Sequence, residues 1–217
     1  MALRRETYLD AGGHVSRTLQ SLSRIADLNY PETDLAKDIG DNFAALAKIQ
    51  VVGSTDTVKA ITALTDSIAL TCDALTIRRI SLTQRRALIQ AQAEFAKKAW
   101  LEKEQVIEQM KLANLHGTMD KRLLDFFNAS FQFQDEQHKS HLAQQQGLEA
   151  EQRKAQINLF REASECTAQT ARFVPPALFA VRKELDLPLD EDSYLRVFNN
   201  SYQTRINSLN ALLDGLG

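Results

Sequence analysis

The chain has 217 residues, a formal net charge of -2 and a pI near 6.1, with 44% hydrophobic and 25% charged residues. So balanced a charge excludes nucleic-acid binding by bulk electrostatics, and no nucleic-acid partner is expected. Cys72 and Cys166 are the only cysteines, without Cys-x-x-Cys or Cys/His ligand spacing, which points to two packed thiols in a reducing, cytoplasmic compartment.

No apolar stretch approaching the roughly 20 residues of a bilayer span stands out. The start, with Arg4, Arg5, Glu6 and Asp10, lacks the apolar core of a signal peptide. Helix-like sequence begins at Leu3 with no N-cap candidate before it, as expected of a fragment whose upstream part is an anchor.

Apolar residues at Leu9, Val15, Leu19, Leu22 and Ile25 predict a helix over about Leu3 to Leu28, ended by Asn29-Tyr30-Pro31. A second helix is predicted from Glu32 to Val52, burying Leu35, Ile39, Phe43, Leu46 and Ile49. Gly53 stops it, and Ser54 offers the next N-cap. No proline lies between Pro31 and Pro175, and that interval holds only Gly40, Gly53, Gly117 and Gly147. Few breakers and many Ala, Leu, Gln, Lys, Arg and Glu predict long helices.

From Thr55 to Leu115 there is no breaker, which implies a helix of roughly 90 Å at the usual rise. Ile68, Cys72, Leu75, Arg79, Leu82, Arg86, Ile89, Ala93, Ala96, Trp100, Lys103, Ile107 and Met110 follow alternating steps of four and three, the seam of a coiled coil. A turn is predicted at Asn114 to Thr118 through Gly117, with Thr118 or Asp120 capping the next helix, Met119 to Phe173. That helix carries Leu142, Leu148, Ala155, Leu159, Ala163 and Cys166, and six Gln between Gln132 and Gln146. Pro175-Pro176 precede a short helix over Ala177 to Glu184. Residues 185–188 link it to a last helix, capped by Asp190 or Asp192, with Leu195, Phe198, Tyr202, Ile206, Leu209 and Leu212 on one face.

An antiparallel hairpin about Gly117 sets the basic stretch 74–98 against the acidic stretch 135–151. It predicts the pairs Arg85 with Glu149, Lys98 with Glu136 and Asp73 with Arg161, and brings Cys72 within about a turn of Cys166. The rival is one continuous helix through Gly117 that pairs between chains.

Asp135, His138 and His141 have metal-like spacing, and the hairpin brings Glu94 near His141. Di-metal bundles take a Glu-x-x-His from each of two helices plus two more Glu, and only one Asp-x-x-His is present, so the stretch is read as solvated polar sequence with no metal. There is no Gly-x-Ser-x-Gly elbow, phosphate loop or Rossmann glycine pattern, so no catalytic residue and no cofactor are assigned. Two interaction candidates remain. The basic cluster Arg78, Arg79, Arg85 and Arg86 pairs with facing carboxylates, attracts lipid phosphate or contacts nucleic acid, the last disfavoured because no cluster of Phe or Trp interleaves with it. The aromatic cluster Phe126, Phe127, Phe131 and Phe133 packs as core against Trp100, Ile107, Met110 and Leu115, or forms an exposed tip.

The stretch Leu46-Ala-Lys-Ile-Gln-Val-Val-Gly-Ser-Thr-Asp-Thr-Val-Lys-Ala60, with Glu108-Gln-Met-Lys-Leu-Ala-Asn114, resembles a set of uncharacterised bacterial helical proteins. In those a coiled-coil part follows predicted N-terminal membrane segments. The resemblance implies membrane association at the cytoplasmic face of the inner membrane through an upstream part.

The expectation is thus an all-α protein in three parts: helices over 1–53, a long antiparallel hairpin over 54–174 and a helical segment over 175–217. The expected role is a non-enzymatic scaffold or spacer that forms homo-oligomers, with the identity of any protein partner unknown. The alternatives are a peripheral membrane module with a basic face and, third, a metal-binding helical bundle.

Overall fold

The computed structural model describes residues 2–215. The chain is all-α, with no strand among the described residues. In order the helices are α1 (Ala2–Ile25), α2 (Glu32–Val52), α3 (Thr55–Leu115), α4 (Lys121–Ala171), α5 (Val174–Glu184) and α6 (Glu191–Asp214). Whether Met1 is a native start concerns a residue outside those described.

The breakers set the boundaries. Pro31 precedes α2 in an extended conformation and Gly53 ends it. After α3 the chain turns back at Gly117, whose φ of +66° suits a residue without Cβ. The N–H of Thr118 reaches Ala113 O at 3.0 Å and that of Gly117 reaches Asn114 O at 3.1 Å, so orphan carbonyls at the end of α3 are satisfied. Asp120 then caps α4 through Leu123 N–H at 2.8 Å. The long helices form a hairpin rather than one continuous rod. Asp190 caps α6, accepting from Ser193 N–H at 3.0 Å.

Two compact units partition the chain: one holds residues up to Ser81 with those from Ala155 onward, the other is Leu82–Lys154. These boundaries fall inside α3 and α4, not at 53/54 and 174/175. The base halves of the long helices thus belong with α1, α2, α5 and α6.

The core of the first unit is built from Leu22 and Ile25 of α1, Leu46 and Ile49 of α2, and Leu64, Ile68 and Leu75 of α3, all essentially fully buried. The α1 face differs from expectation. Tyr8, Ala11 and Thr18 turn inward while Leu9 is 71% exposed, because steps of three and four from Ile25 back to Tyr8 pass beside Leu9 rather than through it. On α2, Leu35, Leu46 and Ile49 are buried and Ile39 and Phe43 half-buried. On α6, Leu213 is buried in place of Leu212.

Polar contacts tie the elements of this unit together. Thr170 of α4 meets Thr71 at 2.9 Å and Ser67 at 3.2 Å on α3. Glu184, at the end of α5, accepts from Ser54 N–H at 2.9 Å and the Thr57 hydroxyl at 2.7 Å, and so caps α3 from a distant part of the chain. Burial, the largest single influence, pushes this carboxyl up, but the hydrogen bonds from Ser54 and Thr57 outweigh it and leave it at about 2.

One 18-residue window of α3 has a mean hydropathy of 1.3, apolar enough by length and composition to cross a bilayer, and 28% of it is buried. This differs from the expectation that no such stretch exists. Ala, Ile and Leu raise the mean, while the Ser and Thr among them keep the window from being a continuous apolar run.

Candidate interaction site: an arm with a polar seam

In the second unit, α3 and α4 pair antiparallel, and their contact lines can be read from burial. On α4 the inward positions run Phe127, Phe131, Gln134, His138, His141, Gln145, Leu148 and Gln152 in alternating steps of four and three. On α3, Leu82, Ala96 and Ala99 are buried and Arg85, Ile89, Gln92 and Lys103 are half-buried. The expected seam is right at Leu82, Ile89, Ala96 and Lys103. Between them it passes through Arg85 and Ala99, while Arg86 and Trp100 are exposed.

Much of this seam is polar. The Gln152 amide donates to Leu82 O at 3.2 Å. His141 Nδ1 lies 2.7 Å from Gln92 Oε1, and His138 Nδ1 lies 2.9 Å from Ala96 O. A carbonyl only accepts, so His138 Nδ1 carries the proton in that bond. Lys103 Nζ donates to Asp135 at 2.9 Å and sits 4.3 Å from the centre of the Trp100 ring, a cation–π arrangement. Lys139 holds the other carboxylate oxygen at 2.6 Å. The Lys139 and Lys103 hydrogen bonds hold the Asp135 carboxyl down at about 2.

The metal candidates are therefore spent on other partners: Asp135 on two lysines, His138 on a backbone carbonyl, His141 on an amide, with Glu94 exposed. Among the described residues no three His, Cys, Asp or Glu gather as a metal requires.

The basic cluster does not form one exposed face. Arg79 is only 3% exposed and donates to the carbonyls of Ile25, Asp27 and Tyr30 at the end of α1. Arg78 lies 3.7 Å from Glu162 and Arg85 lies 3.9 Å from Glu151. The expected charge sense is present with shifted partners: Glu151 replaces Glu149, Lys98 turns to Glu102 on its own helix, and Arg161 pairs with Asp214. Cys72 is buried, Cys166 is half-buried and both are free thiols.

The aromatic cluster divides. Phe127 is buried and Phe131 half-buried on the seam, while Phe126 and Phe133 are 62% and 57% exposed. Phe95 of α3 is 52% exposed, its ring against that of His141, and Leu88 is exposed one heptad before it. Sequence reasoning passed over Leu88 and Phe95, since they fall outside the predicted seam; their seven-residue spacing was the available signal. The arm therefore places amides and imidazoles inside and several large apolar side chains outside.

No protein-family model matches the chain, nor does any curated sequence or solved structure.

Proposed function

We propose that the protein is a non-enzymatic helical scaffold that associates with itself through the arm formed by residues 82–154. One observation carries this reading: an arm with polar groups in its seam holds Phe95, Phe126 and Phe133 more than half exposed. Outward apolar side chains over a polar interior have their counterpart in a surface that another protein covers. The resemblance noted above adds attachment to a membrane through upstream sequence.

Light scattering coupled to size exclusion, across a range of micromolar concentrations, tests the reading. A molar mass that is a multiple of 24.4 kDa is expected; a single-chain mass throughout would overturn it.

A peripheral membrane module is the second reading, favoured by the exposed apolar side chains of the arm, Phe126 and Phe133 among them. It loses Arg79 from its basic face, leaving Arg78, Arg85 and Arg86. It predicts salt-sensitive co-sedimentation with anionic vesicles that is abolished by Arg78→Glu, Arg85→Glu and Arg86→Glu together.

A further inference from the structure

The scaffold reading, on which this step rests, leaves open which surface meets which. Along α4, Phe126, Phe133, Ser140 and Gly147 recur at seven-residue steps, so they form one row, and all four are exposed. The row is bulky toward the turn and small toward the base of the arm. In an antiparallel pair like flanks adjoin, so Leu88 and Phe95 of α3 border the same side. The hydrogen bonds of Gln152 to Leu82 and of His138 to Ala96 fix the register, which sets Leu88 and Phe95 beside the half of α4 that carries Ser140 and Gly147. One half of this face therefore presents two Phe knobs, and the other presents the small residues Ser140 and Gly147 on the flank that Leu88 and Phe95 border.

Gly147 lies deep inside a 51-residue helix, where glycine weakens helical structure. A Cβ built there would meet nothing within 4 Å, so nothing in its own chain calls for the missing side chain. The position is open to close approach by an outside group.

We propose that the occupant is a second copy of this chain, docked antiparallel, α4 against α4, about a two-fold axis level with Glu136 and Gln137. That axis sets Phe126 of one copy over Gly147 of the other and Phe133 over Ser140, twice, as an isologous interface requires. The axis falls between Glu136 and Gln137, so the two Gln137 amides meet on one flank while the two exposed Glu136 carboxylates adjoin on the other, and their repulsion makes the pairing tighter as salt rises. An amide both donates and accepts, so identical copies satisfy one another at Gln137. The flanking charges Lys98 and Glu102 neutralise each other on one helix at 3.8 Å. A bilayer fits this face less well, because the exposed Glu136 carboxylate would enter hydrocarbon.

The test uses the full chain. Gly147→Leu fills this open position while favouring helix, so helicity is retained and dimerisation moves at least tenfold to higher concentration. Gln137→Cys, oxidised gently, gives a covalent dimer on a non-reducing gel. Ala143→Cys on the outward side does not, and the unsubstituted chain supplies the baseline for Cys72 and Cys166. A Gly147→Leu chain that dimerises like the original, or cross-linking at 143 rather than 137, overturns this face and leaves self-association standing. A chain that remains at 24.4 kDa at every concentration overturns both.

Discussion

The guanidinium of Arg79, on α3, donates to the backbone carbonyl of Ile25 at the C-terminal end of α1, at 2.9 Å. It also binds the carbonyls of Asp27 and Tyr30, which have left the helical ladder. The buried guanidinium sits at the negative end of the α1 dipole and pairs three carbonyls, that of Ile25 fully buried. Arg79→Met is expected to lower stability by about 3 kcal/mol, the scale for stranding buried groups of a charge-assisted network. Arg79→Lys should recover less than half, because an ammonium lacks the planar fork. Urea midpoints of the three chains check this; an unchanged midpoint for Arg79→Met would refute it.

Glu184 makes the fold sensitive to acid. Its carboxyl stands at about 2 in the folded chain against 4.5 for an ordinary one. The unfolded chain therefore binds the proton first as pH falls, so the stabilisation is whole above pH 4.5 and lost between 4.5 and 2. Glu184→Gln should be less stable at pH 7 and show a flatter fall over that window. Thermal melts at half-unit pH steps decide it, and parallel curves would rule out this origin.

Two glycine-to-alanine substitutions should act in opposite directions. At Gly53 a Cβ would come 2.9 Å from Ile49 O, a backbone atom with little room to yield, so Gly53→Ala should cost about 1–3 kcal/mol. At Gly147 nothing of its own chain lies within 4 Å, and Gly147→Ala should add about 0.5–1 kcal/mol of helix stability to the single chain, below the concentration at which copies associate. Denaturant unfolding of both, followed by helicity, would show midpoints moving apart.

Both thiols should react slowly. Burial, and after it the Asp73 carboxylate, pushes Cys72 up to about 11, and burial, Glu162 and Glu165 push Cys166 upward. Since the thiolate is the nucleophile, a disulfide reagent at pH 8 should label Cys166 slowly and the buried Cys72 more slowly still. Denaturant should release both at once. Rapid labelling of Cys72 in the native chain would contradict its burial.

The ends of α2 and α3 were legible because Pro31, Gly53, Ser54 and Gly117 act locally, through the backbone of their own few residues. The seam was legible only in part. A 3.5-residue repeat is satisfied by either order of three and four, and hydrophobicity alone favours Trp100 over Ala99. The structure buries Ala99 because this seam packs small and polar side chains. The burial of Arg79 and the cap that Glu184 supplies to α3 depend on residues about 50 and 130 positions apart, and no short-range pattern announces either. At the arm, runs of Gln and His read as solvated sequence, since composition cannot say which side of a helix faces its neighbour.

The seam of amides and imidazoles has a calorimetric consequence. Exposing apolar surface on unfolding raises heat capacity and exposing polar surface lowers it. Opening the arm hydrates Gln92, His138, His141 and Gln152 along with Leu82 and Phe127, so its heat-capacity increment per residue is smaller than that of the Leu- and Ile-filled first unit. The free energy that holds α3 to α4 in the arm therefore changes more gently with temperature, and cooling weakens it less than it weakens the apolar core.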